Sequence, residues 1–181
     1  YLAFERASEF KHEYRSGTIV DMTGASERHN LIGTNTVSLL FPQLRGRGCK
    51  IYANDMRVKV RQARLYTYPD IVIMCGEARF ADDTFDMLIN PTVIIEVLSP
   101  STESYDRGEK FQHYRSLVSL QEYVLISQDS PRIERYMRQG HDSWMLAEAQ
   151  GLDASIELTS IGCTLKLAEV YEQITFEDTA S

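Results

Sequence analysis

The sequence predicts a mixed α/β fold, a central sheet flanked by helices and extended by hairpins, and three features carry that expectation. Ile71–Cys75 and residues 92–98 are β-branched and almost continuously apolar, the pattern of strands buried on both faces. Leu31, Ile32, Val37, Leu39, Leu40 and Leu44 recur at helical spacing. Alternating segments meet at Ser16-Gly17 and across Gly140, as hairpins do.

Taken in order, residues 1–10 read as a short amphipathic helix, with Leu2, Phe4 and Phe10 for packing and Glu5, Arg6 and Glu9 for solvent. Residues 13–22 form a strand, a turn and a second strand. Ser26 and Arg28-His29-Asn30 lead into the main early helix, which stops at Gly46 and Gly48. Two half-buried strands occupy 49–60, the two apolar runs make the sheet centre, and the acidic stretch 76–90 between them is a solvated connection with little core. Asp106 and Glu109 have capping-box spacing for a helix to about Leu117. A strand follows at 122–127, a hairpin at 132–137 and 143–146, then short strands and one helical turn at 167–171.

The totals fit one domain spanning 1–181: 181 residues, 43% hydrophobic, with no repeat and no Pro/Gly-rich linker. The formal charge of −7 opposes a uniformly nucleic-acid-binding surface. Arg45, Arg47, Lys50, Arg57, Lys59, Arg61 and Arg64, accompanied only by Asp55, make a local basic stripe or an ordinary solvated rim. Cys49, Cys75 and Cys163 are far apart and lack metal spacing, so no disulfide framework is expected and a reducing, cytoplasmic setting is the simpler reading. No apolar run is long enough for a membrane span and no signal-peptide pattern opens the chain.

The chemistry-bearing residues are carboxylates set against buried strands. Asp70 follows Pro69 and opens one apolar run; Glu96 stands inside the other. A buried carboxylate without a partner loses its hydration uncompensated. A divalent cation held jointly with Asp70 would compensate, and so would a Lys or Arg. Zinc spacing, a Walker loop and a Gly-x-Ser-x-Gly elbow are all absent from the sequence.

Pro69-Asp70 followed at a distance by Glu96-Val97-Leu98-Ser99 resembles the PD-(D/E)XK nuclease core. With His12-Glu13-Tyr14, Gly17, Met22-Thr23-Gly24, His29-Asn30, Pro100-Ser101-Thr102, Asp106, Lys110, Tyr114 and Gln121-Glu122-Tyr123, the chain resembles the Uma-type restriction endonuclease family from Tyr1 to about Tyr171. The resemblance implies a restriction-endonuclease-like mixed sheet, Mg²⁺ or Mn²⁺ held by Asp70 and Glu96, hydrolysis of DNA phosphodiester bonds, and a homodimer. It also puts Leu98 where the superfamily has its lysine and makes Lys110 the substitute; the bland alternative is an exposed helix lysine paired with Asp106. Glu13 fits an additional carboxylate that holds a metal or a water. His29, at a helix N-terminus, is a candidate phosphate contact or a packing histidine, and Gln121 a candidate polar group beside the metal. Tyr114, Tyr123 and Trp144 read as packing residues. The competing functional reading is a catalytically silent binding or assembly module on the same fold, which the acidic charge and Leu98 favour.

Overall fold

The computed structural model describes residues 1–141 and 143–176. The chain begins with α1 (Leu2–Ala7), the hairpin β1 (His12–Arg15) and β2 (Thr18–Asp21), and the long helix α2 (Glu27–Leu44). It continues through β3 (Cys49–Ala53), β4 (Arg57–Val60), β5 (Leu65–Thr67), β6 (Ile71–Cys75), β7 (Met87–Leu88) and β8 (Val93–Val97). Then come α3 (Glu103–Tyr105), a π-helical segment (Asp106–Lys110) and α4 (Phe111–Tyr114). The remainder is β9 (Glu122–Ile126), the hairpin β10 (Arg132–Gln139) and β11 (Ser143–Gln150), β12 (Ser155–Leu158), β13 (Cys163–Lys166) and α5 (Leu167–Val170).

A six-stranded sheet runs β11-β10-β9-β8-β6-β3, a five-stranded one β2-β1-β5-β4-β7, and β12 pairs with β13. β8 is antiparallel to β6 and parallel to β9, so the two apolar runs do lie at the sheet centre. Their continuity has a simple cause. Ile71, Ile73, Val93, Ile95 and Val97 pack with Ile32, Leu40 and Leu44 of α2 in one core cluster, whereas Val72, Met74, Ile94 and Leu98 pack with Val58, Val60 and Leu65 of the five-stranded sheet and Tyr114 of α4 in another. Both faces are dry, and each such buried Ile, Leu or Val contributes roughly 1.5–3 kcal/mol.

Ser26 caps α2 by accepting from His29 N, and Ser16 and Gly17 turn β1 into β2 with positive φ, the backbone a two-residue hairpin needs. Other expectations are corrected. In α1 the faces are exchanged: Glu5 is buried while Phe4 and Phe10 are exposed, because His12 and Tyr68 supply Glu5 with donors. The connection 76–90 contains β7, whose Met87 and Leu88 are buried beside β4. The helix anticipated over 106–117 begins instead at Glu103, and Asp106 faces Lys110 rather than capping. β5, too short for a periodicity signal, was not anticipated. Cys49 and Cys75 are register partners on β3 and β6 and form a disulfide; antiparallel pairing brings together residues whose spacing carries no signal. That removes the cysteine-based reason for a reducing setting. The basic stripe is dispersed: Arg57 is buried against Tyr68, Arg47 donates to the Ile161 and Gly162 carbonyls, and Arg45 and Lys59 lie over Phe41 and Tyr66. Among the described residues no helix is long and apolar enough to cross a membrane.

Candidate active site

The β6–β8 register, Ile71 opposite Ile95, sets Asp70 across from Glu96 when carried one step further, and antiparallel partners share a face. That face turns toward the five-stranded sheet. Asp70 Oδ2 accepts from Val97 N at 2.7 Å and lies 3.2 Å from His29 Nε2, while Glu96 Oε2 is 3.4 Å from Asp70 N. Leu98, two residues on and on the same face as Glu96, is buried core.

Lys110, carried on the helical segment after β8, stands against Glu96. Its Nζ is 2.8 Å from Glu96 Oε1, 3.2 Å from Asp106 Oδ1 and 3.8 Å from Glu13 Oε1. The π-helical segment presents Asp106 and Lys110 together on the inner side, an irregularity frequent at functional sites. Lys110 is therefore a buried ammonium and not an exposed helix lysine. Glu13 reaches it from β1, its own oxygens accepting from the Thr67 hydroxyl and from Arg15 Nε and NH2 at 2.9 and 2.7 Å. Tyr114 donates to Glu96 Oε1 at 3.1 Å, and Tyr123 donates to the Asp106 carbonyl at 3.1 Å.

Three carboxylates around one ammonium leave a surplus of negative charge. Burial, reinforced by Asp106 and Asp70, pushes Glu96 up to about 8 although Lys110 opposes the shift. Lys110 is held well above the ordinary lysine range: its burial works the other way, but Glu96, Tyr114, Glu13 and Asp106 outweigh it. Burial also works against the charged form of Glu13, yet Lys110, Thr67 and Arg15 bring it below the usual carboxylate range. His29 loses solvation but gains Asp70, which carries it upward. Asp106 Oδ1, its ion pair with Lys110 apart, is buried without a hydrogen bond.

These residues fit a hard divalent cation. Both contacts of the Asp70 carboxylate fall on Oδ2, which leaves Oδ1 for a ligand. The surplus of carboxylates over the single ammonium and the raised Glu96 mark a place where added positive charge is favoured. Among the described residues no group of three or more His, Cys, Asp or Glu converges to hold an ion. Two carboxylates, completed by water and substrate oxygens, are what Mg²⁺ usually takes from a protein.

Of the residues singled out in the sequence, the structure brings together Asp70, Glu96, Lys110, Glu13, Asp106 and His29. It does not bring Gln121 to them. Gln121 precedes β9 at the end where Val93 pairs with Glu122; its main chain bonds the Thr92 carbonyl and its side chain the Ser119 carbonyl. Arg15, Thr67 and the hydroxyl of Tyr114 join the site unanticipated. Arg15, two residues from Glu13 on the same strand face, and Tyr114, four from Lys110, were open to period counting; Thr67 sits in a strand that gave no signal.

Comparison with known proteins shows the family and the fold. A family described as "Putative restriction endonuclease", Uma2, matches residues 1–168. Two uncharacterised proteins of Synechocystis are similar: sll1609 is 36% identical over 88% of this chain and 90% of its own, and slr1290 is 34% identical over 97% and 91%. A solved structure titled as "a putative nuclease belonging to DUF820", from Anabaena variabilis, superposes with a TM-score of 0.75 at 19% identity over 91% of both chains, a likeness of fold. With its family matched across nearly the whole length and its fold shared, the chain belongs to the Uma2 family of restriction-endonuclease-like proteins.

Proposed function

We propose that this protein is a Mg²⁺- or Mn²⁺-dependent endonuclease that hydrolyses DNA phosphodiester bonds, with Asp70 and Glu96 as the metal-holding pair. The observation that carries the reading is the Lys110 ammonium 2.8 Å from Glu96, next to Asp70 on the paired strand. A bound divalent ion supplies Lewis acidity, making a water more acidic and offsetting charge that develops on the phosphoryl oxygens. The chain's own groups do the rest. His29 and the Val97 N–H fix the Asp70 carboxylate, and Tyr114 fixes Glu96. Lys110 presents N–H donors to the attacking water or a phosphoryl oxygen, held in place by Glu13 and Asp106. Leu98 and Tyr114 keep bulk water from the inner side. Residues 1–181 act as one domain, and cleavage of both strands of a duplex is the work of a homodimer.

Titration of Mn²⁺ into wild type, Asp70→Ala and Glu96→Ala, alongside nicking of supercoiled DNA with an EDTA control, tests the proposal. Binding in wild type alone, and metal-dependent nicking reduced at least about 10²–10³-fold in both variants, is expected. Absence of metal binding and nicking in wild type would instead favour the silent module, in which Lys110 neutralises Glu96 permanently.

A further inference from the structure

We propose that the cavity between α2 and the end of β3 is a subsite for one unpaired nucleobase of the strand being cut. The inference rests on the reading of Asp70, Glu96 and Lys110 as a DNA-cleaving site and adds what that site selects. The side chains of Glu13, Glu96, Asp106 and Lys110 are 7% exposed or less, whereas Asp70 and His29 keep 22% and 15% of theirs open. A strand therefore meets the cluster at Asp70, and Asp70 lines this cavity of about 190 Å³.

The lining defines the occupant. His29, Asn30, Thr34, Ser38 and Asn54 offer ring, amide and hydroxyl groups, and no lysine or arginine is among the lining residues. Beyond Asp70 the space suits a neutral, hydrogen-bonding group rather than a second phosphate. Its volume is below the ~300–1,000 Å³ of pockets that enclose a drug-sized ligand, a size that suits one ring better than a whole nucleotide. Val37 and Ile71 add apolar wall, and apolar wall combined with edge-reading polar groups is how enzymes hold a base taken out of its stack. Asn30 spends its Nδ2 on the Ala25 and Ser26 carbonyls, at 3.3 and 2.9 Å, which leaves Oδ1 to accept from a base amino group. The space exists partly because α2 carries Gly33, where an added Cβ would meet nothing within 4 Å. The phosphodiester stops at Asp70, and the base attached to its sugar fills the remainder. Single-stranded or looped-out positions are thereby preferred over continuous duplex.

The probe is a fluorescein-labelled single-stranded oligonucleotide, together with copies bearing one abasic site moved stepwise along it. Anisotropy is read with Ca²⁺ present. Wild type should show one abasic position that weakens binding about tenfold. Gly33→Leu, which fills the cavity, should bind the intact strand as weakly and lose the abasic dip; Thr34→Leu does the same if Gly33→Leu fails to fold. A flat abasic scan in wild type, or a dip that survives in a folded plugged variant, overturns the subsite. Flat binding accompanied by metal-dependent nicking leaves the nuclease reading standing, whereas no strand binding and no nicking overturn both.

Discussion

Two buried carboxylates on opposite faces of the five-stranded sheet have opposite fates. Glu5, beneath α1, accepts from His12 N at 3.0 Å and from the Tyr68 hydroxyl at 2.7 Å, and its second oxygen lies 2.9 Å from His12 Nδ1. Arg57 donates to that same Tyr68 oxygen at 2.8 Å. Burial works to raise Glu5, but the hydrogen bonds from His12 and Tyr68 prevail and it is lowered. Glu96 lies much deeper in the protein, and although an ammonium is against it, burial together with Asp106 and Asp70 raises it to about 8. Depth of burial and the supply of donors together decide the state of a carboxylate: Glu5 lies nearer the surface and is met by donors, whereas Glu96 is fully enclosed among other carboxylates. Around Glu5 the balance closes, and the network ties α1 to the sheet. Around Glu96 it is left open, and an open balance is what a cation-dependent site requires.

The largest expected effect comes from breaking the open cluster. Lys110→Met leaves the Glu13 and Asp106 carboxylates without their ammonium and should cost about 3–5 kcal/mol in urea denaturation, with part recovered by adding Glu13→Gln. No recovery would mean that Lys110 acts mainly by packing.

The pH dependence of stability separates the two carboxylates by sign. Folded Glu96 keeps a proton that the unfolded chain has lost above its ordinary 4.5, so stability falls as pH rises from there to about 8. Glu96→Gln should flatten that fall. Glu5, being lowered, contributes stability above the ordinary carboxylate pKa and loses it as pH drops through the folded value, so Glu5→Gln should flatten the acid limb instead. Matching profiles for the two variants would erase the distinction.

The smallest effect is at the rim of the closed network. Arg6 bridges Asp82 and Asp86 at 2.8 and 2.9 Å but is about a third exposed, so Arg6→Ala should change stability by only ~0–1 kcal/mol and leave Mn²⁺ affinity unchanged.

Much of this was legible because it follows from periodicity. The continuous runs at β6 and β8 announced strands covered on both sides, Ser26 announced α2, and a glutamate inside a core strand announced a site. Helical counting could not find the π-helical segment, whose spacing departs from 3.6, nor the short strands β5 and β7, whose burial depends on neighbours far away in the sequence. The exchanged faces of α1 have the same origin: Glu5 is buried because Tyr68, 63 residues distant, carries a hydroxyl to it. Lys110 was reached through family resemblance, and only the fold explains how it comes to Glu96 in place of Leu98.

Glu13 belongs to the five-stranded sheet and Glu96 to the six-stranded one, and the ammonium between them comes from a helix that follows both. Contacts between such distant parts of the chain slow folding. Until that helix is in place the two strands carry facing carboxylates with no ammonium to set against them.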